Sequence, residues 1–100
     1  MKATLLYGHP ADPLAFEKYY ADNHLPLAAK MEGVTKLELT KFISASDGSK
    51  PEYYRMAELH FAGPAEMQDT MASAEGQAAV ADLANFATGG VTMIIGAVDN

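Results

Sequence analysis

Tyr53-Tyr54-Arg55-Met56-Ala57-Glu58-Leu59-His60-Phe61, closely followed by Gly63-Pro64-Ala65-Glu66, decides the fold. Tyr53, Arg55, Ala57, Leu59 and Phe61 alternate with Tyr54, Met56, Glu58 and His60, and this period of two predicts a strand over 52–61. Gly63-Pro64 then ends the strand and opens a helix, with Pro64 at the first helical position and Glu66 near the positive end of the dipole.

Upstream, Ser44 to Pro51 carries Asp47-Gly48 and reads as a hairpin connection longer than a tight turn, and so a mobile one. It returns to a strand over 34–44, where Leu37 and Leu39 alternate with Lys36, Glu38 and Thr40. Before that strand, Asp12 caps a helix that has Pro13 at its first position. Phe16, Tyr20, Asn23 and Leu27 give this helix one inward stripe, and Gly33 closes the segment. Pro26 falls inside the stripe, which predicts a kink or restart near His24-Leu25. The first strand spans 2–8. Downstream, the alanine-rich run from Pro64 to Phe86 is divided at Ser73 and Gly76, Gly89-Gly90 ends it, and the last strand spans 91–98. The order is βαββαβ, a ferredoxin-like α+β fold: one four-stranded antiparallel sheet with helices on one face.

One hundred residues make a single domain, 1–100, and 49% hydrophobic content is ordinary for a globular chain. A net charge of −6, with seven scattered basic residues, argues against nucleic acid. The chain has no cysteine, so neither thiolate chemistry nor a disulfide framework is available. No apolar run is long enough for a membrane helix, and the N-terminus lacks a secretory pattern; the expected location is cytoplasmic. The absence of metal-ligand spacing, a phosphate loop or a nucleophile elbow predicts neither metal nor cofactor.

The outer strands do not alternate cleanly. Leu5 and Leu6 point to opposite faces, as do Met93 with Ile95 against Ile94 with Val98. Helices cover only one face, so the other is expected to expose an apolar patch that a second copy of the chain would bury. The alternative is a monomer whose long side chains and C-terminal tail cover that face.

Five residues stand out as candidates for chemistry. His24 lies beside the inward stripe where Pro26 disturbs the helix, a place for a general acid or base; alternatively its ring caps free carbonyls or simply packs. Glu58 and His60 share a strand face with Tyr54, a carboxylate–imidazole–phenol set suited to proton transfer; alternatively Glu58 pairs with Lys36 or Lys41. Tyr20 is placed to stabilise charge on a substrate oxygen. His9, before Pro10, is expected in solvent.

Phe16-Glu17-Lys18-Tyr19-Tyr20 with His24-Leu25-Pro26-Leu27, and Ser73-Ala74-Glu75-Gly76-Gln77 through Asn85-Phe86-Ala87-Thr88-Gly89-Gly90-Val91, resemble the EthD family, which takes its name from ethyl tert-butyl ether degradation. The resemblance implies the dimeric α+β barrel fold, with a ligand held in the cleft between helices and sheet. The wider superfamily includes cofactor-independent oxygenases, lactone isomerases and polyketide cyclases, and His24 matches the family's histidine-before-proline motif. The functional expectation is a homodimer with an apolar pocket for a small organic molecule in catabolism or secondary metabolism, acting by cofactor-free acid–base catalysis or cofactor-independent oxygenation, of isomerase, cyclase or oxygenase type. A non-catalytic ligand-binding or accessory protein of a degradation pathway is the alternative, and a purely structural partner of a larger complex is a third.

Overall fold

In the computed structural model, which describes residues 1–99, the chain builds β1 (Lys2–Tyr7), α1 (Pro13–Tyr19), α2 (Leu25–Ala28), β2 (Val34–Lys41), β3 (Arg55–Phe61), α3 (Pro64–Ala72), α4 (Ala74–Asp82) and β4 (Val91–Gly96). The strands pair in the order β2-β3-β1-β4, all antiparallel. The element order matches the sequence reading; β1, β2 and β4 end one to three residues inside their expected bounds, and β3 starts three residues inside its own.

The face toward the helices holds the core. Ala3, Leu5 and Tyr7 on β1 sit beside Ala57, Leu59 and Phe61 on β3, and all six are buried. Phe16, Tyr20, Met67, Leu83 and Phe86 descend onto them from the helical layer. Tyr7, Phe16, Tyr20 and Phe86 lie 5.1–5.9 Å apart between ring centroids, mostly edge-on or tilted, the arrangement that aromatic quadrupoles favour.

The disturbance at Pro26 takes the form of one wide turn. Between α1 and α2, Tyr20–His24 form a π-helical turn in which the Leu25 N–H donates to the Tyr20 carbonyl, five residues back. The extra residue corrects the expected inward stripe. Phe16, Tyr20 and His24 are buried, whereas Asn23 is exposed and Leu27 only half-buried. A regular helix would have carried the inward face to position 23; the wide turn carries it to His24.

The break between α3 and α4 is likewise narrower than the sequence suggested. Ser73 alone divides them, its Oγ accepting from the Gly76 N–H and donating to the Thr70 carbonyl. Gly76 is buried within the first turn of α4, because the two helices meet backbone to backbone there. The 42–54 connection carries its own backbone bonds, from the Ala45 N–H to the Ser49 carbonyl and from the Gly48 N–H to the Ala45 carbonyl. His9, rather than standing in solvent, donates from Nε2 to the Pro51 carbonyl (2.7 Å) and ties this connection to the end of β1.

The face away from the helices is more polar than the outer strands implied. Lys2, Thr4 and Leu6 lie beside Met56, Glu58 and His60, with Lys36, Glu38 and Thr40 beyond. Exposed apolar bulk concentrates instead on the β4 edge, at Met93, Ile94 and Ile95. No helix among the described residues is long and apolar enough to cross a membrane.

Gly76→Ala tests the α3–α4 corner. A Cβ there collides with the Thr70 carbonyl oxygen, which as backbone cannot swing away. Overpacking costs about 1–3 kcal/mol, against a helix-propensity gain of at most about 1 kcal/mol. A lower urea midpoint is expected; an unchanged or higher one would show that the corner opens freely.

Candidate functional site

The helical layer and the sheet do not close completely. Between them lies a cleft floored by Leu5 and Tyr7 of β1, Ala57 and Leu59 of β3, and Leu37 and Leu39 of β2. Its roof is Tyr20, His24, Leu25, Ala28 and Met31 from the first helical segment, with Met71, Ala79, Val80 and Leu83 from the second. The enclosed space is about 40 Å³, room for one or two waters. Two flexible methionines and the half-exposed leucines of edge strand β2 form much of its border, so a larger guest can be admitted by side-chain rotation.

His24 is the histidine that enters this cleft. Its Nδ1 lies 3.0 Å from Asp82 Oδ2, and both side chains are buried. The other carboxylate oxygen, Oδ1, accepts from the Tyr19 hydroxyl (2.6 Å) and from Asn85 Nδ2 (3.0 Å). Desolvation pulls the Asp82 carboxyl upward, but the hydrogen bonds from Tyr19, Asn85 and His24 outweigh it and hold the carboxyl below its ordinary range. The same contact raises the Tyr19 phenol. Asp82 is therefore an anion that can only accept, so His24 Nδ1 carries the proton of that bond, and in the neutral ring the lone pair falls to Nε2. Phe86, 4.7 Å away between centroids, and Tyr20, nearly parallel at 5.9 Å, hold the imidazole plane.

Tyr20 brings the second polar group. Its hydroxyl is buried without a hydrogen-bond partner, and the residue lines the cleft. Leaving such a group unpaired costs about 1–3 kcal/mol. Burial, opposed by the Arg55 guanidinium 5.0 Å from the ring and reinforced by Glu17, pushes its pKa up to about 12. The phenol stays protonated at neutral pH and has a hydrogen bond to give.

Of the five candidates, the structure brings only these two to the cleft. Tyr54 precedes β3, and the alternation breaks there: instead of sharing a face with Glu58 and His60, it is buried against Phe16 on the helical side. Its hydroxyl donates to Glu17 Oε2 (3.0 Å), beside the two-pronged Arg55–Glu17 pair at 2.7 and 2.9 Å. Arg55 holds the Glu17 carboxyl low, while desolvation and then Glu17 raise Tyr54. Glu58 and His60 do share a face, but it is the one away from the cleft. Glu58 pairs there with Lys2 (2.9 Å), not with Lys36 or Lys41. Asp82, Tyr19 and Asn85 were missed by the sequence reading. Asp82 lies 58 residues from His24, and no local spacing signals their meeting.

A family model described as the EthD domain matches residues 8–90. The chain is 45% identical over 93 residues to an 11.0 kDa protein of Rhodococcus erythropolis from the thcB-thcC intergenic region, covering 93% of this chain and 89% of that one. It superposes on the crystal structure of an ethyl tert-butyl ether degradation (EthD) family protein of Bacillus halodurans with a TM-score of 0.92, at 30% identity over 98% and 97% of the two chains. A dimeric ferredoxin-like protein of Thermobifida fusca shares the fold at a TM-score of 0.67 and 14% identity, over 93% and 85% of the two chains.

The lowered carboxyls of Asp82 and Glu17 fix the sign of the pH dependence. The stabilisation each provides is present above the ordinary carboxylate range and is lost as the pH falls through the lowered value. The melting temperature should hold near neutrality and drop below about pH 4. Asp82→Asn should lower it at pH 7 and shallow the acid limb. An unaltered limb in the variant would show that Asp82 is not stabilised by its partners.

Proposed function

This chain belongs to the EthD family, and on that premise we propose that it handles a small, mainly apolar organic molecule by proton transfer at His24, without a cofactor. One observation carries the reading: His24, its imidazole oriented by Asp82, and Tyr20, whose hydroxyl has no partner, line the same apolar cleft. Elsewhere its lining is almost wholly hydrocarbon, so a guest must be largely apolar, with one oxygen for Tyr20 to meet.

The geometry suits abstraction of a proton from carbon next to a carbonyl. His24 Nε2 takes the proton, and the imidazolium that forms is stabilised by Asp82 through Nδ1–H. As the C–H electron pair moves onto the substrate oxygen, Tyr20 donates its hydrogen bond to the developing oxyanion. Returning the proton to a different carbon completes an isomerisation; attack of the carbanion on a second carbonyl of the same molecule would give a cyclisation. Asp82 is a positioning residue, and Tyr19 and Asn85 fix its carboxylate. A homodimer belongs to the same reading, supported by the exposed Met93, Ile94 and Ile95 on β4 and by the dimeric Thermobifida fusca relative in fold.

The narrowness of the cleft favours one second reading, a carrier that wraps a ligand and leaves it unchanged. Proton NMR in D2O with a panel of small cyclic ketones and phenols separates the two. Catalysis predicts exchange of the ketones' protons next to the carbonyl, slowed by about 10²–10⁴-fold in His24→Gln, with less loss in Tyr20→Phe. A compound that raises the melting temperature yet shows no exchange supports the carrier. No effect from any compound in either assay would sink both.

A further inference from the structure

We propose that Glu38, Glu58 and His60, on the sheet face away from the cleft, form a binding site for one divalent transition cation of the zinc class. One ligand atom from each of the three lies within 4.8 Å of the others, close enough for a single ion to gather them. The sheet register makes the site. Glu58 and His60 are two apart on β3 and point the same way, while Glu38 of β2 stands directly opposite Glu58.

Two features of this face are costly without a cation. Like charges directly opposite each other on neighbouring strands repel, and Glu38 and Glu58 are so placed. His60 Nε2 is shielded from solvent and has no hydrogen-bond partner. The flanking lysines meet the first problem only in part: Lys2 holds Glu58 Oε2 (2.9 Å), and Lys36 reaches Glu38 Oε2 (3.4 Å). Neither ammonium makes a hydrogen bond to His60 Nε2, and a ring nitrogen with a free lone pair is satisfied by a hydrogen-bond donor or by a Lewis acid. A dication ligated by His60 and the two carboxylates supplies the Lewis acid and cancels both negative charges.

The donor set selects the class of ion. One imidazole nitrogen with two carboxylates suits zinc and its transition-metal neighbours, whereas magnesium and calcium favour all-oxygen shells. Three protein ligands leave a fourth tetrahedral position for water or another donor. The ligands come from two strands 20 residues apart in sequence, which is why no ligand-spacing motif announces them.

Calorimetric titration of the full chain with ZnCl₂ at neutral pH tests the site, with MgCl₂ in parallel. One Zn²⁺ per chain is expected, with no heat from Mg²⁺. Removing a partner that merely orients a ligand costs about 10–100-fold in metal affinity, so Glu38→Gln and His60→Gln should each lose at least tenfold. Glu38 is exposed, so its variant keeps the test sound even if His60→Gln fails to fold. His9→Gln should bind as the parent does, and Lys2→Ala should bind at least as tightly, because a competing cation is gone. Absence of zinc binding, or binding untouched by Glu38→Gln, overturns the proposal.

Discussion

The Asp82 carboxylate is the constraint on which this molecule turns. It is buried at the end of α4, and an anion in that position must be satisfied completely or it unfolds its surroundings. Its hydrogen-bond donors come from two places. Asn85 is local, but Tyr19 and His24 belong to the first helical segment. The single carboxylate therefore fastens the second helical segment to the first above the sheet, and orients the imidazole that lines the cleft. Stability and any chemistry at His24 share one set of bonds, so natural change at Asp82 would be penalised twice.

That fastening requires Tyr19, Tyr20 and His24 to leave the helix in different directions: Tyr19 toward Asp82, Tyr20 toward the sheet, His24 toward both. A regular helix does not put residues 16, 20 and 24 on one line for long, because its faces drift with each turn. The wide turn over Tyr20–His24 removes the drift. Pro26, which lacks an N–H, sits just beyond, where the normal ladder would already be incomplete. The defect in the helix thus supplies the register that the buried triad needs, in keeping with the frequency of such turns at functional sites.

The fold was legible because it rests on local signals. The alternation over Arg55–Phe61, Asp12-Pro13 and Gly63-Pro64 as helix openings, and Gly33 as a positive-φ stop all read directly from neighbouring residues. The position of His24 at the helix–sheet cleft was legible too, through Pro26 beside it. What failed needed distance or geometry. Tyr54 was put on the wrong face because the strand begins one residue later, at Arg55, and parity cannot be extended past a strand's end. Asp82 looked like an ordinary polar residue on an alanine-rich helix; only its meeting with His24 across 58 residues gives it a role. The open face was read as apolar from Leu6 and Ile94, but their cross-strand companions on that face include Thr4, Thr92, Glu58 and Lys2.

The two faces of the sheet therefore pose different electrostatic problems, and a single alternating strand solves both. β3 sends Ala57 and Leu59 into a dry cleft, where His24 has one fixed anion for a partner and Tyr20 keeps its proton. The same strand sends Glu58 and His60 to the other side, among lysines and a second glutamate. A charge on one face is separated from the other by the full thickness of the sheet and its apolar layer. A cation gained or lost beside Glu58 would consequently act on the cleft mainly through strand geometry, with Leu59 lying between Glu58 and His60 in the chain and forming part of the cleft's floor. Coupling of that kind must pass through backbone position, and edge strand β2, which carries Glu38 on one face and Leu37 and Leu39 of the cleft floor on the other, is held to the sheet on its β3 side alone.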